Sequence, residues 1–221
     1  MDADPESCVA PADGRLLAYP SLSAEGTLPI KGGLLDRASL LADAALARRF
    51  GGGAVVVVRL YLGDYHHFHF PAGGVPDESR AIAGRYFAVS PYARDWNVPF
   101  CALNHRMVTC LASDAFGTIA MVEVGALTVG SVRQDFVPGA RVEKGAHKGW
   151  FELGGSLVVL LFEQGAVELD EDICANTRAG IETRVRMGES IGRRAHSSAC
   201  IVPKATSDDA ATAAACRAKR G

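Results

Sequence analysis

Three of the chain's six histidines fall within four residues, in Asp64-Tyr65-His66-His67-Phe68-His69-Phe70-Pro71. Imidazole titrates near neutrality, so such a segment suits proton transfer by a base and a second acid/base group. It follows Ala54–Leu62, a β-branched apolar run that reads as a buried strand. Strand alternation puts His67 and His69 on one side and His66 on the other, until Pro71 ends the ladder. Three ligands this close along a strand cannot all converge on one metal ion. The competing reading buries one or two of these histidines against backbone carbonyls, and the segment alone does not choose. A second segment, Gly154-Gly155-Ser156, enters the apolar run Leu157–Glu163. As a bare tripeptide it reads first as a tight turn. Its chemical reading is specific: a serine hydroxyl attacks the preceding carbonyl only if that peptide bends toward it. Glycine at 155 tolerates the backbone angles this requires. A third, Pro11-Ala12-Asp13-Gly14, is by itself an ordinary turn.

The elements that must position these residues are short. Glycine is abundant, at 24 of 221 residues, and punctuates apolar runs, which favours many turns and short strands. Leu34–Phe50 reads as the main helix, with Leu34, Ala38, Leu41 and Ala45 at helical spacing and Gly51-Gly52-Gly53 as its stop. Thr118–Val132 reads as two strands around Gly125, and Thr183–Ile191 as a strand with a turn at Gly188. The length suits one compact domain, taken as residues 1–192, with a poorly ordered tail over 193–221. Any helix in DDAATAAACRAKR is marginal in isolation. Hydrophobic content of 48% and charged content of 22% exclude wholesale disorder and collagen-like structure. A net charge of −2 argues against nucleic acid as partner. No apolar run approaches the ~20 residues of a membrane span, and the acidic start lacks a signal peptide's order. The six cysteines form no CxxC pair, which argues against zinc and for reduced thiols in a cytosol-like compartment.

Together these segments resemble the phosphatidylserine decarboxylase family of self-cleaving, pyruvoyl-dependent enzymes, over roughly Val9 to Gly192. APADG is similar to the family's S-P-x-D-G. RLYLGDYHHFHFPAGG is similar to its R-L-x-P-x-D-Y-H-R-F-H-x-P-x-x-G. FAVSPYA with NHRMV resembles V-N-P-x-A…N-x-R. VEVGALTVGSV resembles V-x-V-G-A-x-x-V-G-S-I, and KGAHKGWFELGGSLVVLLFE resembles K-G-x-x-x-G-x-F-x-x-G-S-T. NTRAGIETRVRMGESIG resembles N-S-x-x-x-x-E-T-x-V-x-x-G-E. Gly63 stands where the family usually has proline, His67 where arginine is usual, and Leu157 where threonine follows the serine. The chain begins almost at APADG, without the family's membrane-associated N-terminal segment. VGSVRQDFVPGARVEKGAHKGWF also resembles the hammerhead half of biotinyl/lipoyl-type domains, without their carrier lysine. The fold expected is α+β, mainly antiparallel sheets with a few helices, barrel- or sandwich-like with such hammerhead elements.

The resemblance implies a cleavage triad of Ser156, His69 and Asp13. His69 takes the Ser156 proton, Asp13 orients the ring, and Ser156 Oγ attacks the Gly155 carbonyl to give an ester. Elimination leaves dehydroalanine at 156, and hydrolysis of its imine tautomer releases ammonia and leaves a pyruvoyl group. The products are a β chain, residues 1–155, and an α chain, 156–221. The ketone then condenses with the substrate amine and accepts the electrons released as CO₂ leaves. His66 is the resemblance's candidate for returning a proton to the substrate carbon. The cofactor implied is the pyruvoyl derived from Ser156, with no metal and no pyridoxal phosphate. The implied carboxy-lyase converts phosphatidylserine to phosphatidylethanolamine. Alternatives are decarboxylation of a free aromatic amino acid and an unprocessed binding module. A homodimer and a cytoplasmic location are expected, with room for a peripheral membrane contact. Leu34–Phe50, with Arg48 and Arg49 near its end, either meets a lipid surface or packs on the sheet, and packing is the preferred reading.

Overall fold

The structure, a computed structural model, describes residues 1–21, 27–30, 33–87, 100–126, 131–152 and 156–195, with the backbone alone at 27–30, 33–35 and 100. The order is β1 (Ser7–Val9), β2 (Gly14–Tyr19), β3 (Thr27–Ile30), β4 (Gly33–Asp36), α1 (Arg37–Leu41), α2 (Ala44–Arg49) and β5 (Val55–Leu60). Next come β6 (His67–His69), β7 (Gly74–Pro76), β8 (Arg80–Ile82), α3 (Phe100–Leu103), β9 (Arg106–Ser113), β10 (Gly117–Val124) and β11 (Val132–Gln134). The last are β12 (His147–Phe151), β13 (Ser156–Phe162), β14 (Val167–Leu169), α4 (Glu171–Arg178), β15 (Thr183–Val185) and β16 (Ser190–Arg194).

The central antiparallel sheet runs β15-β2-β5-β13-β10-β9-β7, with β8 added on β9. Its middle strands, β5 and β13, are apolar but for Arg59 and Ser156 because both faces are covered. One face, with Val55, Val57, Val159 and Leu161, packs against Leu40, Leu41, Ala47 and Phe50 of the helical layer. The other, with Val56, Val58, Val158 and Leu160, packs against Phe68, Phe70 and Phe151 and against Ile173 and Cys174 of α4. Phe68 and Phe151 belong to a small sheet, β11-β12-β6, and a third sheet, β1-β16-β14, closes the end. The architecture is α+β and sandwich-like, with antiparallel sheets throughout and no closed barrel among the described residues. The hammerhead-like segment supplies β11 and β12, paired antiparallel from Val132↔Phe151 to Gln134↔Gly149.

Two expectations change in detail. The helix expected over Leu34–Phe50 is a strand and two short helices. Asp43 breaks it: its carboxylate accepts from the Ala45 and Leu46 N–H groups and starts α2, while Ala42 turns into the left-handed region at φ 47°. Its apolar residues Leu40, Leu41, Ala47 and Phe50 are buried on the sheet, and Arg49 is tied to Thr118 and Glu163. Packing, not an apolar outer surface, accounts for this segment. Of the two strands expected around Gly125, the first is β10; the second is only β11, beginning at Val132, and 127–130 lie outside the described residues. The tail expected over 193–221 lies outside them from 196 onward. Cys8, Cys101, Cys110 and Cys174 are unpaired thiols, and burial pushes Cys101 up to about 12. No helix among the described residues is long and apolar enough to cross a membrane.

Candidate active site

β6 lies between β12 on one edge and the Val9–Asp13 segment on the other. The His69 N–H donates to Pro11 O at 2.7 Å, and the Val9 N–H to Pro71 O at 3.0 Å. Asp13 is therefore delivered beside His69 by backbone pairing of two segments remote in sequence. The Asp13 carboxylate accepts the Met187 N–H at 2.8 Å, which fixes it in the turn before β2.

His69 is 8% exposed. Its Nδ1 lies 3.0 Å from Gly145 O, and a carbonyl only accepts, so the neutral ring carries its proton on Nδ1 and a lone pair on Nε2. Gly145 reaches this position with φ of 77°, a backbone state that favours glycine. The ring's orienting bond is thus to a backbone carbonyl, and Asp13 acts on it through charge. Burial lowers the proton affinity of His69, with smaller contributions from His147 and His67, while the Gly145 carbonyl and Asp13 oppose them. The balance favours a neutral imidazole at pH 7, the state a general base needs.

Ser156 opens β13 directly opposite Leu60 and is fully buried. It shares the face of Val158 and Leu160, toward the small sheet. Among the described residues neither Ser156 Oγ nor His69 Nε2 has a hydrogen-bond partner. They are therefore not bonded to each other in this structure, and each is a buried polar atom left unsatisfied, a state native folds rarely keep without use. Gly155, the other half of the expected cleavage site, lies outside the described residues.

His66 is half-buried just before β6. Its Nδ1 donates to Asp64 O at 2.7 Å, and its own carbonyl accepts the Phe151 N–H at 2.9 Å. Asp13 and His69 thus meet at the C-terminal end of β6, His66 precedes its other end, and Ser156 lies on the facing sheet. Gly145, Met187, His147 and Asp135 had no sequence signal. They enter through long-range pairings such as His147↔His69 across β12 and β6. Among the described residues no group of three or more His, Cys, Asp or Glu is arranged to hold a metal ion.

A model of the phosphatidylserine decarboxylase family matches residues 1–193. Proteins named phosphatidylserine decarboxylase proenzyme are similar to this chain. The one from Chlamydia muridarum is 43% identical over 189 residues, covering 86% of this chain and 63% of that protein. That from Chlamydia felis is 43% identical over 186 residues, 84% of this chain and 62% of the relative. That from Ruminiclostridium cellulolyticum is 42% identical over 194 residues, 87% of this chain and 64% of the relative. The chain spans a little under two thirds of the length of these curated relatives. By the reach of the family match and the level of identity, this chain belongs to the phosphatidylserine decarboxylase family.

Proposed function

We propose that the chain cleaves itself between Gly155 and Ser156 and then decarboxylates phosphatidylserine to phosphatidylethanolamine. The observation that carries this reading is the pair of buried, unsatisfied atoms, Ser156 Oγ and His69 Nε2, beside the Asp13 carboxylate. The relatives' printed names, which call them proenzymes, support it. His69 Nε2 takes the hydroxyl proton while the Gly145 carbonyl holds Nδ1. The Asp13 charge favours the imidazolium that results. Ser156 Oγ bonds to the Gly155 carbonyl carbon, the Gly155–Ser156 C–N bond breaks, and the proton passes to the freed amine.

A buried hydroxyl with no structural bond fits a residue that is converted rather than used as a donor. The pyruvoyl group formed from it supplies an electron sink for the carbanion left as CO₂ departs. His66, whose Nδ1 donates to Asp64 O, is the candidate for returning a proton to the substrate carbon. The mass of the purified chain tests the first half. Fragments 1–155 and 156–221 are expected, the second without a free amine, whereas Ser156→Ala stays whole. A chain that remains intact on long incubation refutes the reading. CO₂ release from phosphatidylserine vesicles, and none from free tryptophan, is expected of the processed protein.

A further inference from the structure

Beside His69, the outer face of the β11-β12-β6 sheet carries a hydrogen-bonded set that the cleavage step leaves unused. Asp135, just after β11, places Oδ2 3.0 Å from His147 Nδ1. His147 Nε2 in turn lies 2.8 Å from His67 Nδ1. A carboxylate only accepts, so a singly protonated His147 carries its proton on Nδ1. Its Nε2 is then an acceptor and His67 Nδ1 must donate. One carboxylate thus sets the tautomer of two rings and leaves the His67 Nε2 lone pair outward. At 2.8 Å only one proton fits between the rings, so the next proton taken up makes one of them an imidazolium.

The set is packed against the base. The His147 ring meets His69 edge-on at 5.3 Å between centroids, and Tyr65 stacks on His67 at 4.6 Å. Trp150 lies 6.1 Å from both His67 and His147. The other ionisable groups around it are His66 and His69 from the β6 segment, Asp13 beyond β6, and the Arg133–Glu152 pair on β11 and after β12. Lys148 of β12 points the other way, into the core. Burial lowers the proton affinity of His67, helped by His147 and His66.

We propose that the Asp135–His147–His67 chain controls the charge beside His69. With both rings neutral it leaves His69 its full proton affinity; on taking up a proton it lowers that affinity, so that more of His69 stays neutral and self-cleavage persists to lower pH. His67 is then a positioning residue, and the proposal rests on His69 being the base of the cleavage step. The family this chain resembles usually has arginine here, a fixed charge, and His67 makes that charge conditional.

The test compares cleavage half-times of wild type and His67→Gln, on denaturing gels, across the acid limb. Glutamine donates as His67 Nδ1 does but cannot be charged. A like charge at such separations shifts a neighbour's proton affinity by on the order of tenfold. His69 therefore stays neutral to lower pH in wild type, and the ratio of wild-type to H67Q rate should rise severalfold, up to about tenfold, from roughly pH 7.5 to roughly pH 5.5. Parallel profiles overturn the proposal. The uncleavable Ser156→Ala chain gives an independent reading through imidazole ¹⁵N shifts. There His147 should be the Nδ1–H tautomer, and adding His67→Gln should raise the titration midpoint of His69. An Nε2–H tautomer at His147, or an unmoved His69 midpoint, overturns the proposal whether or not the wild type cleaves. A wild type that never cleaves refutes the cleavage reading instead, and the ¹⁵N result still decides the charge coupling.

Discussion

Glu123→Gln tests how the two sheets that carry the site are held together. Glu123 of β10 and Lys148 of β12 are both fully buried, with Lys148 Nζ 3.0 Å from Glu123 Oε2. Gln134 bridges them, accepting from Lys148 at 2.7 Å and donating to Glu123 at 3.0 Å. The substitution preserves shape and removes only the negative charge, so no cavity forms. Lys148 is left charged in a dry layer with neutral partners. Losing one member of a buried pair costs about 3–5 kcal/mol. The Phe68, Phe70 and Phe136 rings, 5.2–5.9 Å from Nζ, still face the cation and place the cost near the lower end. About 3 kcal/mol corresponds to a Tm lowered by roughly 10 °C in a chain of this size. The pH dependence has a definite sign. Burial already lowers the proton affinity of Lys148, and Glu123 opposes it. Without Glu123 the folded chain gives up this proton at lower pH still. The unfolded chain keeps it up to about pH 10.4. Between those limits the unfolded state binds more protons, so stability rises with pH, by at most about 1.4 kcal/mol per unit. The deficit is therefore largest near neutral pH and narrows toward alkaline pH. Urea unfolding followed by tryptophan fluorescence at about pH 7 and about pH 9.5 measures it. A deficit below about 1 kcal/mol at pH 7, or one equal at both pH values, refutes the reasoning.

Arg106→Met should lower stability by about 2 kcal/mol. The buried guanidinium donates to Leu40 O, Ser39 O and Asn104 O at 2.6–2.9 Å, and losing those bonds is offset in part by no longer burying a cation. Differential scanning calorimetry reads it as a lower Tm with the fold retained. Gly149→Ala should cost more than about 2 kcal/mol, because its Cβ would lie 2.0 Å from Arg133 O, backbone that cannot give way without parting β11 from β12. Circular dichroism melts of the soluble variant check it, and a wild-type Tm would show that this pairing is looser than the structure has it.

The buried strands were legible because composition alone marks them: β5 and β13 are apolar runs interrupted only by Arg59 and Ser156, and only a strand covered on both faces can bury nearly every residue. The alternation that placed His67 and His69 together holds, since both rings contact Tyr65 and His147. The helix boundary was misread although its signal was present. Asp43 ahead of Ala44-Ala45-Leu46 is cap chemistry, and apolar periodicity runs straight through it. The residues that hold His69, Asp13 and His147 were not legible at all. Gly145, Met187 and Asp135 acquire their roles through pairings across the chain, and nothing in their local sequence distinguishes them from turn residues. Nothing local marks Lys148 and Glu123 as a buried pair either; it is the register that turns both side chains into one layer.

The site's two exceptional atoms explain why the frame around them is so closely tied. An unsatisfied buried hydroxyl and an unsatisfied imidazole nitrogen each cost about 1–3 kcal/mol, and a pliable fold would relax to bond them. Relaxation is blocked on both sides. Ser156 opens a strand whose backbone is paired with β5 from Ser156 itself and with β10 from Leu157, so its Cβ cannot shift without breaking those ladders. His69 is pinned by its N–H to Pro11 and by its ring to Gly145. The buried Lys148–Glu123 pair then joins the strand next to β6 to the strand next to β13. An ion pair is a poor source of net stability but a demanding one in geometry. Its place here, one strand from His69 on one sheet and one strand from Ser156 on the other, makes it a register pin for the spacing of those two side chains.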